Sequence, residues 1–175
     1  GFKRDERGRY VRKFETMDVF IDFLTEHPTA TTGTASVEGV AAGVFPGVTR
    51  ALATRRKVTV KGRDLFGVTQ KALVPVAGIG ALLVLKLNAF AGRQQPKDAY
   101  DILLGVSRYA DGPEAAIAAF HAEATASNRG YARAAETLRK HFSDSDQSGP
   151  LRCAAFALDG QTGLDDRPTR QRQIF

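Results

Sequence analysis

The sequence predicts an α+β (mixed α/β) fold, and two features of its patterning carry that prediction. The first half alternates apolar and polar residues at the two-residue period of a strand. The second half repeats apolar residues at three and four, the period of a helix. The change falls just after Pro75. Residues 1–76 therefore read as a strand-rich part with a small mixed or antiparallel sheet. Residues 77–142 read as a helical bundle, and 143–175 as a linker, a short docked element and a polar tail. At 175 residues, 43% hydrophobic and 25% charged, the chain has ordinary globular composition and enough material for a core.

Residues 9–15 (RYVRKFE) form a basic, alternating stretch that suits an exposed or edge strand. Thr16-Met17 is the expected turn. Residues 18–25 (DVFIDFLT) then read as one strand, completing an antiparallel hairpin. Residues 26–47 are rich in Thr, Gly, Ala and Pro and are expected to be loop, with a weak helix over 35–42. Residues 57–61 (KVTVK) alternate cleanly, and 67–76 form a second, apolar strand. Residues 79–92 (IGALLVLKLNAFAG) are Leu- and Ala-rich and predict a helix, broken at Gln94-Gln95-Pro96. Pro96 suits the first position of the next helix. There Ala99, Ile102, Leu103, Val106 and Ala110 make one stripe at helical spacing. Two further helices are expected over 113–127 and 130–142. A polar linker follows over 143–149, then a short apolar element over 151–158 and a polar end.

Several function classes fall away on composition. Cys153 is the single cysteine, so an internal disulfide or a Cys-based zinc site is excluded. Three scattered histidines do not suggest a His-rich metal site. No apolar run is long enough to span a bilayer, and no signal peptide opens the chain, which points to a cytoplasmic protein without a membrane partner. The start Gly1-Phe2, with no methionine before Met17, reads as a processed or truncated N-terminus. The net charge of +6 favours an anionic partner such as a nucleotide or RNA.

Three sets of residues stand out. Asp22 lies in a stretch apolar on both strand faces, where a carboxylate is costly unless a metal ion or a cation pairs with it. Lys86 follows an uncharged run, Leu73 to Leu85 and the alanine before it, and sits mid-helix, so a half-buried ammonium with an anionic partner is expected. Arg93 lies two turns from Lys86 on the same face, and Lys97, Asp98 and Asp101 open the next helix. Asp98 and Asp101 also suit the positive end of a helix dipole.

The string Leu85-Lys86-Leu87-Asn88-Ala89-Phe90-Ala91-Gly92-Arg93, followed by Pro96-Lys97-Asp98-Ala99-Tyr100-Asp101-Ile102, resembles the C-terminal signature of AbiEii/AbiGii-type nucleotidyltransferases, of the DNA-polymerase-beta-like superfamily. The strand Val19-Phe20-Ile21-Asp22-Phe23-Leu24 resembles the strand that carries that family's third carboxylate. The resemblance implies transfer of NMP from an NTP to an acceptor such as tRNA, with Mg²⁺ as cofactor. It also implies the toxin of a toxin–antitoxin or phage-defence pair, with a cognate antitoxin as partner. Asp22 would then be a catalytic and metal-binding carboxylate, and Lys86 a catalytic cation along the triphosphate. Arg93, Lys97, Asp98 and Asp101 would shape the nucleotide pocket. The superfamily's first motif, a Gly-Ser or Gly-Gly turn leading into Asp-x-Asp, does not occur in the sequence. The alternatives are a degenerate relative acting as an interaction scaffold, or a non-catalytic nucleic-acid-binding domain. The latter would use Arg7, Arg9, Arg12 and Lys13 with the cluster Arg55-Arg56-Lys57.

Overall fold

A computed structural model of the chain describes residues 1–6, 9–15, 17–64 and 66–158. Arg7, the Thr16 side of the first expected turn, and the polar end beyond residue 158 lie outside them. The described residues combine small β-sheets with six helices, an α+β fold.

β1 (Lys3–Arg4), β2 (Tyr10–Lys13) and β3 (Asp18–Ile21) form one antiparallel sheet, with Tyr10 opposite Ile21 and Lys13 opposite Asp18. The strand expected over 18–25 is not continuous. β4 (Leu24–Thr25) leaves the first sheet and pairs parallel with β6 (Val40–Val44) in a second. The physical reason is a hand-over of backbone hydrogen bonds: the Phe23 carbonyl accepts from the Gly43 amide at 2.8 Å. Asp22 therefore sits at the switch between two sheets, exposed, and not inside a strand apolar on both faces.

The helix expected over 35–42 does not form. β5 (Thr34–Val37) and β6 make a tight hairpin, with Val37 opposite Val40. The two residues between them, Glu38 and Gly39, have φ of 50° and 79°. Positive φ at both positions gives the turn whose twist matches paired strands. The alanine content suggested a helix, but the Glu-Gly turn decides the local structure.

α1 (Val48–Ala53) has no counterpart among the expected elements. A carboxylate distant in sequence supplies its start: Glu26 accepts from the amides of Gly47 (3.3 Å) and Thr49 (3.1 Å). Such partners satisfy orphan N–H groups and suit the positive end of the helix. β7 (Arg56–Arg63) and β8 (Thr69–Val76) then form a separate two-stranded antiparallel ribbon.

α2 (Ile79–Arg93) is the axis of the second half. It packs against α1, α3 (Pro96–Ser107), α4 (Pro113–His121) and α5 (Tyr131–Phe142), while α6 (Ser148–Leu158) covers α3 and α5. Val84, Leu87 and Phe90 of α2 join Ala99, Ile102, Ala116, Phe120, Ala134 and Cys153 in the main core. Fully burying side chains of Leu or Phe size stabilises by roughly 1.5–3 kcal/mol each. Ala110, expected on the α3 stripe, lies beyond the helix and outside the core. α4 ends at His121, short of the expected Ser127. The chain then turns through two buried polar residues, Glu123 and Asn128. Glu123 Oε2 accepts from Arg50 Nε (2.7 Å) and Asn128 Nδ2 (3.0 Å), tying α1 to the helical part. No helix among the described residues is long and apolar enough to cross a membrane.

Candidate nucleotide-binding site

The corner between α2 and α3 explains how the basic and acidic residues meet. Gln94 ends α2 in the left-handed conformation (φ 46°), Gln95 is extended, and Pro96 opens α3. This tight reversal folds the first turn of α3 back against the last turns of α2. Arg93 grips Asp98 with two bonds, Nε–Oδ2 at 2.6 Å and Nη2–Oδ1 at 2.8 Å. Lys86 Nζ donates to Asp101 Oδ2 at 2.6 Å and lies 3.6 Å from Asp98 Oδ1. Lys97 Nζ reaches the same Asp101 oxygen at 2.8 Å.

Burial ranks these groups. The Asp98 side chain is 1% exposed, Lys86 26% and Arg93 60%. Asp98 is thus the buried anchor, and the two cations present their outer sides to solvent. The bond from Asp98 raises the pKa of Arg93 above its ordinary value, against partial burial. Burial pushes the Asp101 carboxyl up, but hydrogen bonds from Lys86 and Lys97 outweigh it and hold the group below its ordinary value.

Lys86 and Arg93 line a cavity of about 520 Å³, and Asp22 lines it from the sheet side. Among the described residues the Asp22 carboxylate has no hydrogen bond or ion pair. Leu82, Leu85, Ala89, Phe45 and Pro46 give the lining a largely apolar stretch, beside Thr31, Thr32 and Asn88. The cavity is therefore bipolar: a free carboxylate on one side, a cationic patch on the other, and mostly hydrocarbon between. Lys97, Asp98 and Asp101 do not line it. Asp98 and Asp101 pair with Arg93 and Lys86, while Lys97 pairs with Asp101 alone.

Two residues escaped the sequence reading. Arg133 of α5 also lines the cavity, is exposed, and has no side-chain partner among the described residues. It stands among Ala132, Ala134 and Ala135 as a lone exposed cation, which in sequence looks like an ordinary solvated residue of an amphipathic helix. Asn88 is 5% exposed, and its Nδ2 donates to the Gly130 carbonyl at 2.9 Å, while Oδ1 is buried without a partner. A polar residue inside a Leu-rich helix was the available signal for it.

A family model described as the nucleotidyl transferase AbiEii toxin of type IV toxin–antitoxin systems matches residues 15–172. The chain belongs to the AbiEii nucleotidyl transferase toxin family. No curated protein and no solved structure matches it.

For an AbiEii chain, the donor set bears on the divalent metal that nucleotidyl transfer uses. Among the described residues no group of three or more His, Cys, Asp or Glu could hold a metal ion. Asp98 and Asp101 are engaged by cations, which leaves Asp22. One free carboxylate does not make a resident site. It does fit a magnesium ion brought in on a triphosphate, since Mg²⁺ typically takes one or two carboxylates together with phosphate oxygens and water. The chain's single Asp-x-Asp, Asp144-Ser145-Asp146, closes the turn between α5 and α6, where Asp144 Oδ1 accepts from the Asp146 amide at 3.0 Å. It is not the strand motif of the superfamily.

Proposed function

We propose that this AbiEii chain binds magnesium–NTP in the cavity between Asp22 and Lys86 and takes part in transferring NMP to an RNA acceptor such as tRNA. A cognate antitoxin would hold this activity in check. The observation that supports the reading most directly is the bipolar lining of one cavity by Asp22, Lys86 and Arg93. The anionic triphosphate lies along Lys86, Arg93 and Arg133, where charge-assisted hydrogen bonds are strongest. The base and sugar rest on the apolar stretch. Bound magnesium would neutralise charge on the phosphates and favour departure of pyrophosphate. Asp22 faces the attacking hydroxyl or the metal, and Lys86 stabilises charge that develops on the phosphate oxygens. Asp98 and Asp101 act as positioning residues, holding the two cations in place before substrate arrives.

The test is equilibrium binding of each NTP with Mg²⁺, followed by label transfer to total tRNA. Lys86→Ala is expected to weaken NTP binding at least tenfold, about 1.4 kcal/mol. Arg133→Gln should weaken it severalfold, and Asp22→Ala should remove the Mg²⁺ dependence. The sequence contains no Gly-Ser or Gly-Gly turn leading into Asp-x-Asp, so the 175-residue chain alone is expected to bind NTP without transferring label. NTP binding unaffected by both Lys86→Ala and Asp22→Ala would refute the site.

A further inference from the structure

The ribbon of β7 and β8 takes no part in the cavity or the core. All sixteen of its residues are exposed, and the two strands pack on each other. Its register sorts the side chains. Opposed residues share a face, so Lys57, Thr59, Lys61 and Arg63 lie on one side with Pro75, Leu73, Lys71 and Thr69. The other side carries Val58, Val60, Ala72, Val74 and Val76, with Arg56 at the base. One face of the ribbon thus holds four cations and no acid.

Two details make this more than a solvated surface. Lys61 and Lys71 are direct cross-strand partners. Like charges set directly opposite, at about 5 Å between Cβ atoms, destabilise a sheet. None of the four cations has an ion pair among the described residues. The nearest acid in sequence, Asp64, is already occupied. Its carboxylate accepts from the amides of Val68 and Phe66 and from Gln70 Nε2, closing the turn. The repulsion is therefore left uncompensated within the ribbon. Lysines that only discourage edge-to-edge pairing need not gather on one face.

We propose that the basic face of the ribbon, centred on Lys61 and Lys71, docks the phosphodiester backbone of an RNA. Along a strand, residues rise about 3.3 Å each, so Lys57, Lys61 and Arg63 spread over roughly 20 Å. This suits several successive phosphates and not a single small anion. The base of the ribbon joins α2, the helix of Lys86, through Ala77 and Gly78. Lys61 and Lys71 stand five residues from that base, roughly 17 Å along the strand, so RNA held there is linked through the chain to the helix that carries Lys86. The inference rests on the RNA-acceptor reading above, but its readout is separate.

The experiment is a titration of the full chain with fluorescein-labelled bulk tRNA at several salt concentrations, alongside NTP binding. Each lost phosphate contact lowers the slope of log K against log salt by about 0.7–0.9. The variant with Lys57, Lys61, Arg63 and Lys71 all changed to Gln is expected to lose about three units of slope and at least tenfold in affinity. A charge-matched control with Arg108, Arg139, Lys140 and Arg152 changed to Gln should lose far less. Lys71→Glu gives a second, independent check, because it replaces the Lys61–Lys71 repulsion with attraction. It should slow hydrogen exchange of the ribbon amides and still weaken tRNA binding. NTP binding should be unchanged in both ribbon variants. Unaltered tRNA affinity in Lys71→Glu, an equal loss in the control, or a preference of the ribbon for polyglutamate over tRNA would overturn the proposal. Loss of NTP binding in Lys86→Ala tests the cavity alone, so failure of one reading is not failure of the other.

Discussion

Asp101 joins two lysines to one carboxylate oxygen, and that geometry makes its behaviour with pH specific. Its folded pKa lies below the ordinary value, because the bonds from Lys86 and Lys97 outweigh burial. A group depressed in the folded state contributes stability that is full above its unfolded value, about 3.9. That contribution is lost as pH falls through the folded value. Between pH 7 and pH 5 Asp101 should therefore leave stability unchanged, and its effect should appear only in the acid limb. Urea unfolding of the parent and of Asp101→Asn, followed from about pH 7 to pH 3, checks this. The variant is expected to be less stable at neutral pH, with a gap that narrows below about pH 4. A gap that stays constant through the acid limb would mean that the Lys86–Asp101–Lys97 contacts are not held by charge.

At the scale of elements, the α2–α4 crossing depends on one missing side chain. A Cβ on Gly80 would lie 2.2 Å from the Ala119 carbonyl oxygen and 2.6 Å from its carbon, both backbone atoms of α4. Neither can swing away as a side-chain tip would. Gly80→Ala should force the helices apart and cost about 1–3 kcal/mol in urea unfolding, although alanine is the better helix former. A stabilised variant would show that the crossing is loose. The sequence carried much of this part. The helices around Lys86 and Asp98 were legible because their apolar residues recur at three and four, and Pro96 marks a start. The alignment of Lys86 with Arg93 was legible from helical spacing alone. Gly80, by contrast, looked like one more small residue of the predicted helix, since its contact partner lies 39 residues away along the chain. The β5–β6 hairpin was hidden by alanines that suit a helix. The break at Asp22 was hidden because β3 and β4 are contiguous apolar residues whose hydrogen-bonding partners differ, and pattern does not reveal partners. Arg133 could be found only once α5 had been placed beside α2.

For the molecule as a whole, stability is unevenly distributed. The residues of the main core cluster all fall between Ile79 and Cys153, whereas no described residue of β1, β2, β3, β7 or β8 is buried. The helical part should accordingly open as a unit, with the ribbon and the first sheet opening locally at lower cost. Cys153 on α6 is a built-in reporter of that unit. It is fully buried, and burial raises its thiol to about 11. At pH 8 only about one thiol in a thousand would be ionised in the folded protein, and the thiolate is the reactive form. Labelling by a disulfide reagent should thus require α6 to leave α3 and α5. Its rate should rise with urea along the same slope as global unfolding, and Gly80→Ala should accelerate it. The ribbon variants should leave it unchanged, because β7 and β8 contribute no residue to that core. Hydrogen exchange should show the complementary order, with ribbon amides exchanging well before those of α2. Labelling that is fast and insensitive to urea would place α6 outside the cooperative unit. The corner that holds Asp98 against Lys86 and Arg93 would then lose the backing of α6, which packs on α3.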